Sequence, residues 1–345
     1  MSKKGKQSID LERPVLVINE ASIVGKREGE GPLGSYFDRV LVDEKCGEKN
    51  WEAAESTLQQ ETLSLLYEKA QVKMSDTGFL FAGDLLGQLM ASAFGMKDTN
   101  IPFFGLYGAC STIGEGLALG AMTVAAGYGK QVAVVASSHF ESAEKQFRFP
   151  MGYGNQRPLS ATWTVTGSGA FLLGQAVESE NHDRKEEILI TGVTVGKIVD
   201  YGIKDSFNMG ACMAPAAANV IVANLSDFER RTDYYDKIIT GDLGYVGKDL
   251  LLELLREEQI DIENIYIDCG IEIFDQEKQD THSGGSGCGC SASVLAGYVL
   301  GKLRRKEWRR VLFIPTGALL SGVSFNEGRT IPSIAYGIVL EVQSI

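Results

Sequence analysis

The chain has 345 residues, of which 44% are hydrophobic and 23% charged, and its 33 basic and 45 acidic side chains give a formal net charge of −12. This ordinary globular composition excludes a disordered, collagen-like or coiled-coil chain. The acidic balance argues against a nucleic-acid surface, because binding to phosphates needs a cationic face.

Neither a membrane span nor a secretion signal is expected. No unbroken apolar window of about 18 residues occurs, and the basic residues 1–7 lead into no apolar signal core. The six cysteines are scattered at 46, 110, 212, 269, 288 and 290. They predict free thiols in a reducing compartment rather than a disulfide framework. We therefore expect an intracellular soluble protein.

Apolar strands punctuated by glycine alternate with helices of small residues, which predicts an α/β fold. Two parts of the chain echo each other. An apolar strand runs into Gly-Asp-Leu at 83–85 and again at 241–243, and a turn with cysteine and serine at 108–111 is echoed at 288–291. A small-residue helix and an apolar strand follow each turn. This duplication predicts two α/β halves related by a pseudo-two-fold axis.

The boundary between the halves is expected in the charged run 178–187, which separates two apolar segments. The alternative interpretation of this run is a solvated loop. We predict an N-terminal half at 1–177, which carries Cys110, and a C-terminal half at 178–345.

Cys110 is the first candidate for function. A helix is predicted to follow it over 113–127, with Ser111 or Thr112 as the N-cap. A thiol at this turn faces free amide donors and the positive end of the helix dipole, which favour a thiolate and would also hold an oxyanion or a ligand carboxylate. The alternative is a small buried residue, which is common for cysteine.

Two further groups follow predicted strands, where α/β proteins gather their sites. His139 comes after an apolar strand through Ser137 and Ser138, with a structural or surface histidine as the alternative. Asp84 and Asp242 each follow a strand within Gly-Asp-Leu. For these aspartates, capping of a helix or of loop amides is favoured over titration in catalysis.

The cysteine pair Cys288 and Cys290 suggests a metal site. Zinc needs two more ligands, and only His282 is near in sequence, so no metal site is predicted. Small residues that allow tight packing, where the second half repeats the first turn, are the favoured interpretation.

The remaining candidates are two arginines and a helix start. Arg148 or Arg157 lies in a run of basic and aromatic residues and would hold a carboxylate through two parallel hydrogen bonds, with exposed loop charge as the alternative. Pro215 is predicted at the first position of a helix. Before it, Met209 and Met213 would wall an apolar pocket or fill the core.

These features together resemble the thiolase superfamily, which includes the ketoacyl synthases. Longer strings are more specific, and they resemble the stage V sporulation protein AD family of spore-forming bacteria: FAGDLLGQ (81–88), FGLYGACST (104–112), VGKIVDYGIKDSFNMGACMAPAAA (195–218) and GGSGCGCSA (284–292). The resemblance runs from about residue 7 to the end. It implies a thiolase-like fold with two pseudo-two-fold-related halves in a five-layer αβαβα sandwich, with a cleft between them, and it favours a homodimer.

The resemblance also implies a function. The family binds dipicolinic acid (pyridine-2,6-dicarboxylate) and is required for its movement into the developing spore, alongside membrane proteins of the same operon. The chain is then expected to be the soluble subunit of a transport complex, held at the cytoplasmic face of the spore inner membrane by partner proteins. Calcium is expected as a companion of the ligand, and no other cofactor is expected.

The sequence departs from the catalytic pattern of the superfamily. Ketoacyl synthases pair the nucleophilic cysteine, matched here by Cys110, with a histidine and with a second histidine or an asparagine. These partners should fall near Gly241 and Asp242 and near Cys288, and neither position has one. Acyl transfer needs an acid or base near the sulfur, so the resemblance favours a protein that is not an enzyme.

We expect the degenerate cleft to bind the ligand. Helix-end amides and polar side chains would hold the carboxylates, and a methionine would contact the ring. The expected ligand-binding residues are Cys110, Ser137, Ser138, His139, Arg148, Met209, Asp242 and Cys288. Asp84 or Asp242 would supply oxygens to accompanying calcium. The alternatives are an acyltransferase or ketoacyl-synthase-like enzyme that uses Cys110, and a purely structural subunit of the complex.

Overall fold

The computed structural model describes residues 1–147, 157–176 and 186–344. The strands are β1 Ser2–Lys4, β2 Ser8–Val24, β3 Arg39–Val40, β4 Phe79–Gly83, β5 Phe103–Leu106, β6 Gln131–Ser138, β7 Trp163–Thr164, β8 Gly167–Gln175, β9 Glu186–Val195, β10 Lys237–Thr240, β11 Tyr266–Asp268, β12 Gly285–Ser286, β13 Arg310–Ile314, β14 Thr316–Ala318 and β15 Ser333–Ser344. The helices are α1 Lys26–Gly29, α2 Trp51–Ala70, α3 Met90–Met96, α4 Thr112–Ala125, α5 Phe140–Phe147, α6 Met209–Asp227, α7 Gly244–Glu257, α8 Cys269–Glu272, α9 Gln276–Gln279, α10 Cys288–Val294, α11 Leu300–Arg304 and α12 Gly322–Asn326.

One mixed sheet runs through the molecule, and its strand order shows the duplication. The strands follow one another as β11-β10-β13-β15-β9-β2-β8-β6-β4-β5. In the first half, β4 is parallel to β5 and β6, whereas β8 is antiparallel to β6 and β2. In the second half, β10 is parallel to β11 and β13, whereas β15 is antiparallel to β13 and β9. The two sets meet at the antiparallel pair β2–β9, and the predicted boundary residues 178–185 lie outside the described part of the chain.

Helices cover both outer faces and fill the space between the two sets of strands. On the outer side of the first half, α2 packs against β2, β8 and β6, and on that of the second half α6 packs against β15 and α7. Between them, α4 contacts both β6 and β15, while α10 contacts β8, β6 and α4. This succession of helices, first strand set, helices, second strand set and helices is the five-layer αβαβα architecture that the resemblance implies.

The central helix α4 lies close to the sheet because it carries small residues. A Cβ atom added at Gly116 would lie 2.5 Å from a methyl carbon of Val134 on β6. Glycine is therefore needed for this approach. The strand beneath is apolar over 132–136 and buried over 132–138, as expected of a strand in a sheet that is covered on both faces.

Helix α6 begins earlier than predicted. Its N-cap is Asn208, whose side chain accepts a hydrogen bond from the Ala211 amide at 3.3 Å, and Pro215 lies inside the helix rather than at its first position. Among the described helices, α6 is the one long and apolar enough to cross a membrane, but most of it is buried within the fold. That burial is typical of a core helix.

Candidate functional site

A cavity of about 240 Å³ lies where three helices begin. Cys110 lines it from the turn before α4, Met209 lines it from the first residue of α6, and Gly287 lines it directly before α10. The wall is mostly apolar, with Leu85, Tyr107, Ala143, Phe147, Met213 and Leu320. Its polar side chains are Glu144, Thr164, Ser206, Asp242, Ser286 and Ser321.

The turn that carries Cys110 is tightly held. Ala109 has a φ of 53°, in the left-handed region that non-glycine residues rarely adopt. The Ser111 hydroxyl donates to the Gly108 carbonyl at 2.6 Å, so Ser111 occupies the N-cap position without capping the helix through its side chain. A Cβ atom added at Gly317 on β14 would lie 2.4 Å from that carbonyl. This close approach holds the turn, and with it Cys110, against the second half.

Asp242 is the side chain that engages the thiol. It follows β10 and is fully buried. Its Oδ1 accepts a hydrogen bond from the Thr316 hydroxyl at 2.9 Å, and its Oδ2 accepts one from the Gly287 amide at 3.1 Å. The Cys110 thiol lies beside the same carboxyl group.

The electrostatics of this pair oppose a thiolate. Burial raises the pKa of Asp242 to about 7, and the adjacent Cys110 thiol counteracts part of that effect. Burial, followed by the charge of Asp242, raises the pKa of the Cys110 thiol well above its ordinary value. Burial and a neighbouring carboxyl group thus outweigh the helix dipole, which favours the alternative interpretation of Cys110 as a neutral, buried thiol.

His139 lies behind the cavity wall and has a structural role. Its Nδ1 accepts a hydrogen bond from the Glu141 amide at 3.2 Å, so its Nε2 carries the proton and donates to the Glu44 carbonyl at 2.9 Å. The ring lies beside Trp51, with 5.3 Å between ring centroids. Burial lowers the pKa of His139. Both ring nitrogens have protein partners, and His139 does not line the cavity.

Three other expected ligand residues also lie behind the wall. The Ser138 hydroxyl donates to the Val165 carbonyl at 2.7 Å and accepts the Gly289 amide at 3.0 Å. The Ser137 hydroxyl donates to a buried carboxylate on α2. The Cys288 thiol donates to the carbonyl of residue 109 at 3.3 Å. These contacts join β6 to α2 and to α10, and α10 to the turn before α4. None of the three side chains lines the cavity.

The two arginines are placed differently. Arg148 lies outside the described residues. Arg157 donates to both the carbonyl and a carboxylate oxygen of Asp280, at 2.8 and 2.9 Å, and does not line the cavity.

Asp84 has the capping role that the sequence favours. Its Oδ1 accepts the Leu86 amide at 2.8 Å, and its Oδ2 accepts both the amide and the hydroxyl of Ser92, at 2.8 and 2.6 Å. The Cys290 thiol donates to the Gly241 carbonyl at 3.5 Å. Within the described part of the chain, no three histidine, cysteine or acidic side chains are arranged to hold a metal ion.

The sequence analysis missed two residues of the site. Thr316 binds Asp242, and Glu144 on α5 lines the cavity. Thr316 lies just beyond the carboxyl end of β13, which is the signal that could have found it. Glu144 carries no comparable signal, because one glutamate in a polar helix is typical of an exposed face.

Comparison with known proteins decides the family. The family model described as Stage V sporulation protein AD matches residues 5–341. The chain belongs to the stage V sporulation protein AD family. A relative from Bacillus subtilis (strain 168), named Stage V sporulation protein AD, is 40% identical over 341 residues, covering 99% of this chain and 98% of that protein.

Solved structures of condensing enzymes share the fold of this family member. The 3-oxoacyl-[acyl-carrier-protein] synthase III from Aquifex aeolicus VF5 is 10% identical, with a TM-score of 0.55 over 95% of this chain and 99% of that chain. Cerulenin-bound OleA of Xanthomonas campestris is 13% identical, with a TM-score of 0.57 over 95% of this chain and 97% of that chain. At these identities the likeness shows the thiolase-like fold alone.

Proposed function

We propose that this sporulation protein binds dipicolinic acid in the cavity beside Cys110. Through this binding it would serve as the soluble subunit of a membrane complex that moves the compound into the developing spore. The observation that carries the proposal is the pairing of Cys110 with Asp242 at the position where the enzymes of this fold place a histidine. The cavity is retained, while its chemistry favours binding over acyl transfer.

A nucleophilic role for Cys110 lacks support in the geometry. The thiol is held in its neutral form by burial and by Asp242, whereas a nucleophile needs a lowered pKa or an adjacent base. Within the described part of the cavity wall, no histidine, lysine or arginine is present.

The cavity suits a flat aromatic ligand with polar edges. Leu85, Phe147 and Met209 offer apolar surface for a ring. The amino-terminal ends of α4, α6 and α10 meet at the cavity, and the positive end of a helix dipole attracts carboxylates. Calcium carried with the ligand would meet the carboxyl oxygens of Asp242 and Glu144, the ligand type that it prefers.

Calorimetric titration of the purified protein with dipicolinate, with and without calcium, tests the proposal. Pyridine-2-carboxylate is the ligand control. Ala143→Leu fills part of the cavity and is expected to weaken binding at least tenfold, while Ala126→Leu, at an exposed position outside the cavity wall, leaves it unchanged. No saturable binding up to millimolar ligand, or equal affinities for the two variants, would overturn the proposal.

Retention of Cys110 in the cavity is the observation that favours an acyltransferase as the second candidate. Incubation with an acyl-CoA followed by intact-mass analysis separates the two functions. A stable acyl adduct on Cys110 with turnover supports the enzyme, whereas an unmodified chain that binds dipicolinate supports the carrier.

A homodimer is also proposed. Strand β5 is the last strand of the sheet and pairs through one edge with β4. Around it, Phe94, Phe103 and Tyr107 are 60%, 42% and 55% exposed, which is typical of a surface covered by a partner. Sedimentation should show a dimer that Phe94→Lys weakens and that Val42→Lys does not, because Val42 is exposed and follows β3, which pairs with β2 four strands away from β5. A monomer in the unmodified protein would refute this proposal.

A further inference from the structure

A second cavity, of about 620 Å³, lies on the other side of β7 and α5 from the first. Three aromatic side chains line it, Trp51 at the start of α2, Phe140 at the start of α5 and Trp163 on β7. Among the described residues, its wall shares none with the cavity beside Cys110. The two cavities are therefore separate sites.

The polar part of this wall is mainly acidic. Lys26 is paired with Glu30 at 3.9 Å, whereas Glu28, Glu44 and Glu141 form no ion pair with any residue that the structure describes. The charged side chains that line the cavity are the acids Glu28, Glu30, Asp43, Glu44 and Glu141 and the bases Lys26, Arg27 and Lys45. The acids thus outnumber the bases, and the cavity favours a cation.

Glu28 gives an observation that is independent of this charge balance. Its side chain is buried, with 1% of the residue exposed. Its Oε1 accepts a hydrogen bond from the Thr166 amide at 2.9 Å, but its Oε2 is buried and has no hydrogen-bond partner in the described part of the chain. An unpartnered buried carboxyl oxygen is costly. In the wall of a cavity it indicates a site for a donor that the chain itself does not supply.

Glu44 brings a second carboxyl oxygen to the same place. A Cβ atom added at Gly25 would lie 2.6 Å from Oε2 of Glu28 and 2.9 Å from Oε1 of Glu44, so these two oxygens are at most about 5.5 Å apart. A charge-assisted N–H···O hydrogen bond is about 2.8 Å long. One ammonium nitrogen between the two oxygens can therefore donate to both, and glycine at position 25 leaves the space for it.

The aromatic side chains of the wall already attract cations of the chain. The Lys45 ammonium lies 4.9 Å from the ring centroid of Trp51, and the Arg27 guanidinium lies 3.9 Å from that of Trp163. Arg27 also donates to the Gln279 carbonyl. Cations are attracted to the faces of such rings, so the aromatic and the acidic parts of the wall favour the same class of ligand.

The shape of the site favours an organic cation over a metal ion. Among the residues that the structure describes, no three histidine, cysteine or acidic side chains are arranged to hold a metal. We propose that this second cavity binds an alkylammonium group, which donates to Glu28 and Glu44 while its carbon chain lies against Phe140 and Trp51. The group is carried either by a free amine or by a lysine side chain of a partner protein.

Calorimetric titration with pentylamine tests the proposal, with pentan-1-ol as the uncharged control. At pH 8.5 Glu28 is above the pKa of about 8 that burial gives it, while an alkylamine keeps its proton. We expect saturable binding of pentylamine, at least tenfold tighter than that of pentan-1-ol. Nα-acetyl-lysine methylamide carries the same ammonium on a peptide unit. Tighter binding of this amide supports a lysine of a partner protein, and tighter binding of pentylamine supports a free amine.

Three variants locate the binding. Glu28→Gln keeps an oxygen for the Thr166 amide and should weaken pentylamine binding about tenfold, the loss of one charge-assisted hydrogen bond. Glu141→Gln is the second variant, should Glu28→Gln fail to fold, and should weaken binding about threefold because it removes a charge from the wall. Glu253→Gln, at an exposed position on α7 outside the cavity wall, should leave the affinity unchanged.

The proposal is independent of dipicolinate binding and fails on its own terms. Absence of saturable pentylamine binding up to millimolar concentration overturns it, as does equal affinity for pentylamine and pentan-1-ol. Binding that is unchanged in both Glu28→Gln and Glu141→Gln, or that Glu253→Gln weakens as much, also overturns it, because the ammonium then lies elsewhere.

Discussion

Replacement of Glu55 by glutamine should stabilise the protein at neutral pH and flatten its pH dependence. Glu55 lies on α2, is fully buried, and accepts hydrogen bonds from the hydroxyls of Ser137 and Ser142 at 3.1 and 2.6 Å. Burial, followed by the charge of Asp84, raises its pKa from an ordinary value of 4.5 to about 8.

The sign and the magnitude of the pH effect on stability follow from the difference between the pKa of Glu55 in the folded chain and in the unfolded chain. Between these two pKa values the folded chain holds a proton that the unfolded chain has released, so this stability is fully present below pH 4.5 and is lost as pH rises through about 8. The full difference between these two pKa values corresponds to a loss of about 5 kcal/mol in the free energy of unfolding, or about 1.4 kcal/mol per pH unit. Glutamine imitates the protonated acid and removes this dependence.

Urea unfolding at pH 5, 6, 7 and 8 measures the effect as the difference between the unmodified protein and Glu55→Gln. Glu68→Gln is the matched control, because Glu68 is exposed on the same helix, and its pH dependence should equal that of the unmodified protein. Other buried acids such as Glu28, whose pKa burial raises to about 8, act equally in all three proteins. Parallel pH profiles for the unmodified protein and Glu55→Gln would refute the reasoning.

Three further predictions concern the thiol, the histidine and the helix packing. Cys110 should react with iodoacetamide at pH 7 at least tenfold more slowly than a free thiol because its pKa is raised, and Asp242→Asn should accelerate the reaction; peptide mass mapping that shows fast labelling of the unmodified protein would contradict this. His139→Gln should lower the free energy of unfolding by about 1–3 kcal/mol, because the Glu44 carbonyl and the Glu141 amide lose their partner. The affinity for dipicolinate should stay unchanged. Calorimetry that shows lost affinity at unchanged stability would instead indicate that His139 contacts the ligand. Gly169→Ala places a Cβ atom 2.3 Å from a carbonyl oxygen of α10 and should lower Tm. Gly322→Ala is the control and should leave Tm unchanged, because no atom lies within 4 Å of its added Cβ. Equal melting temperatures for the two variants would contradict this packing argument.

The sequence by itself determined the α/β class, the duplication and the family. Apolar strands that end in Gly-Asp-Leu and turns that combine cysteine, glycine and serine are local patterns, and they recur in the same order in both halves. The sequence also showed that no histidine stands near Asp242, because the residue type at a position matched to the family pattern can be identified without a structure. The capping role of Asp84 followed from its place after a strand.

Only the tertiary structure decided which of these residues line the cavity. The position after strand β6 placed His139 near the site, but the direction of its ring depends on Glu44 and Glu141, which no local pattern links to it. The protonation state of Cys110, which the sequence left open, was decided in the same way. A helix dipole can be inferred from sequence, whereas burial and a carboxyl group 132 positions away in the chain, at Asp242, become neighbours only when the two halves pack together.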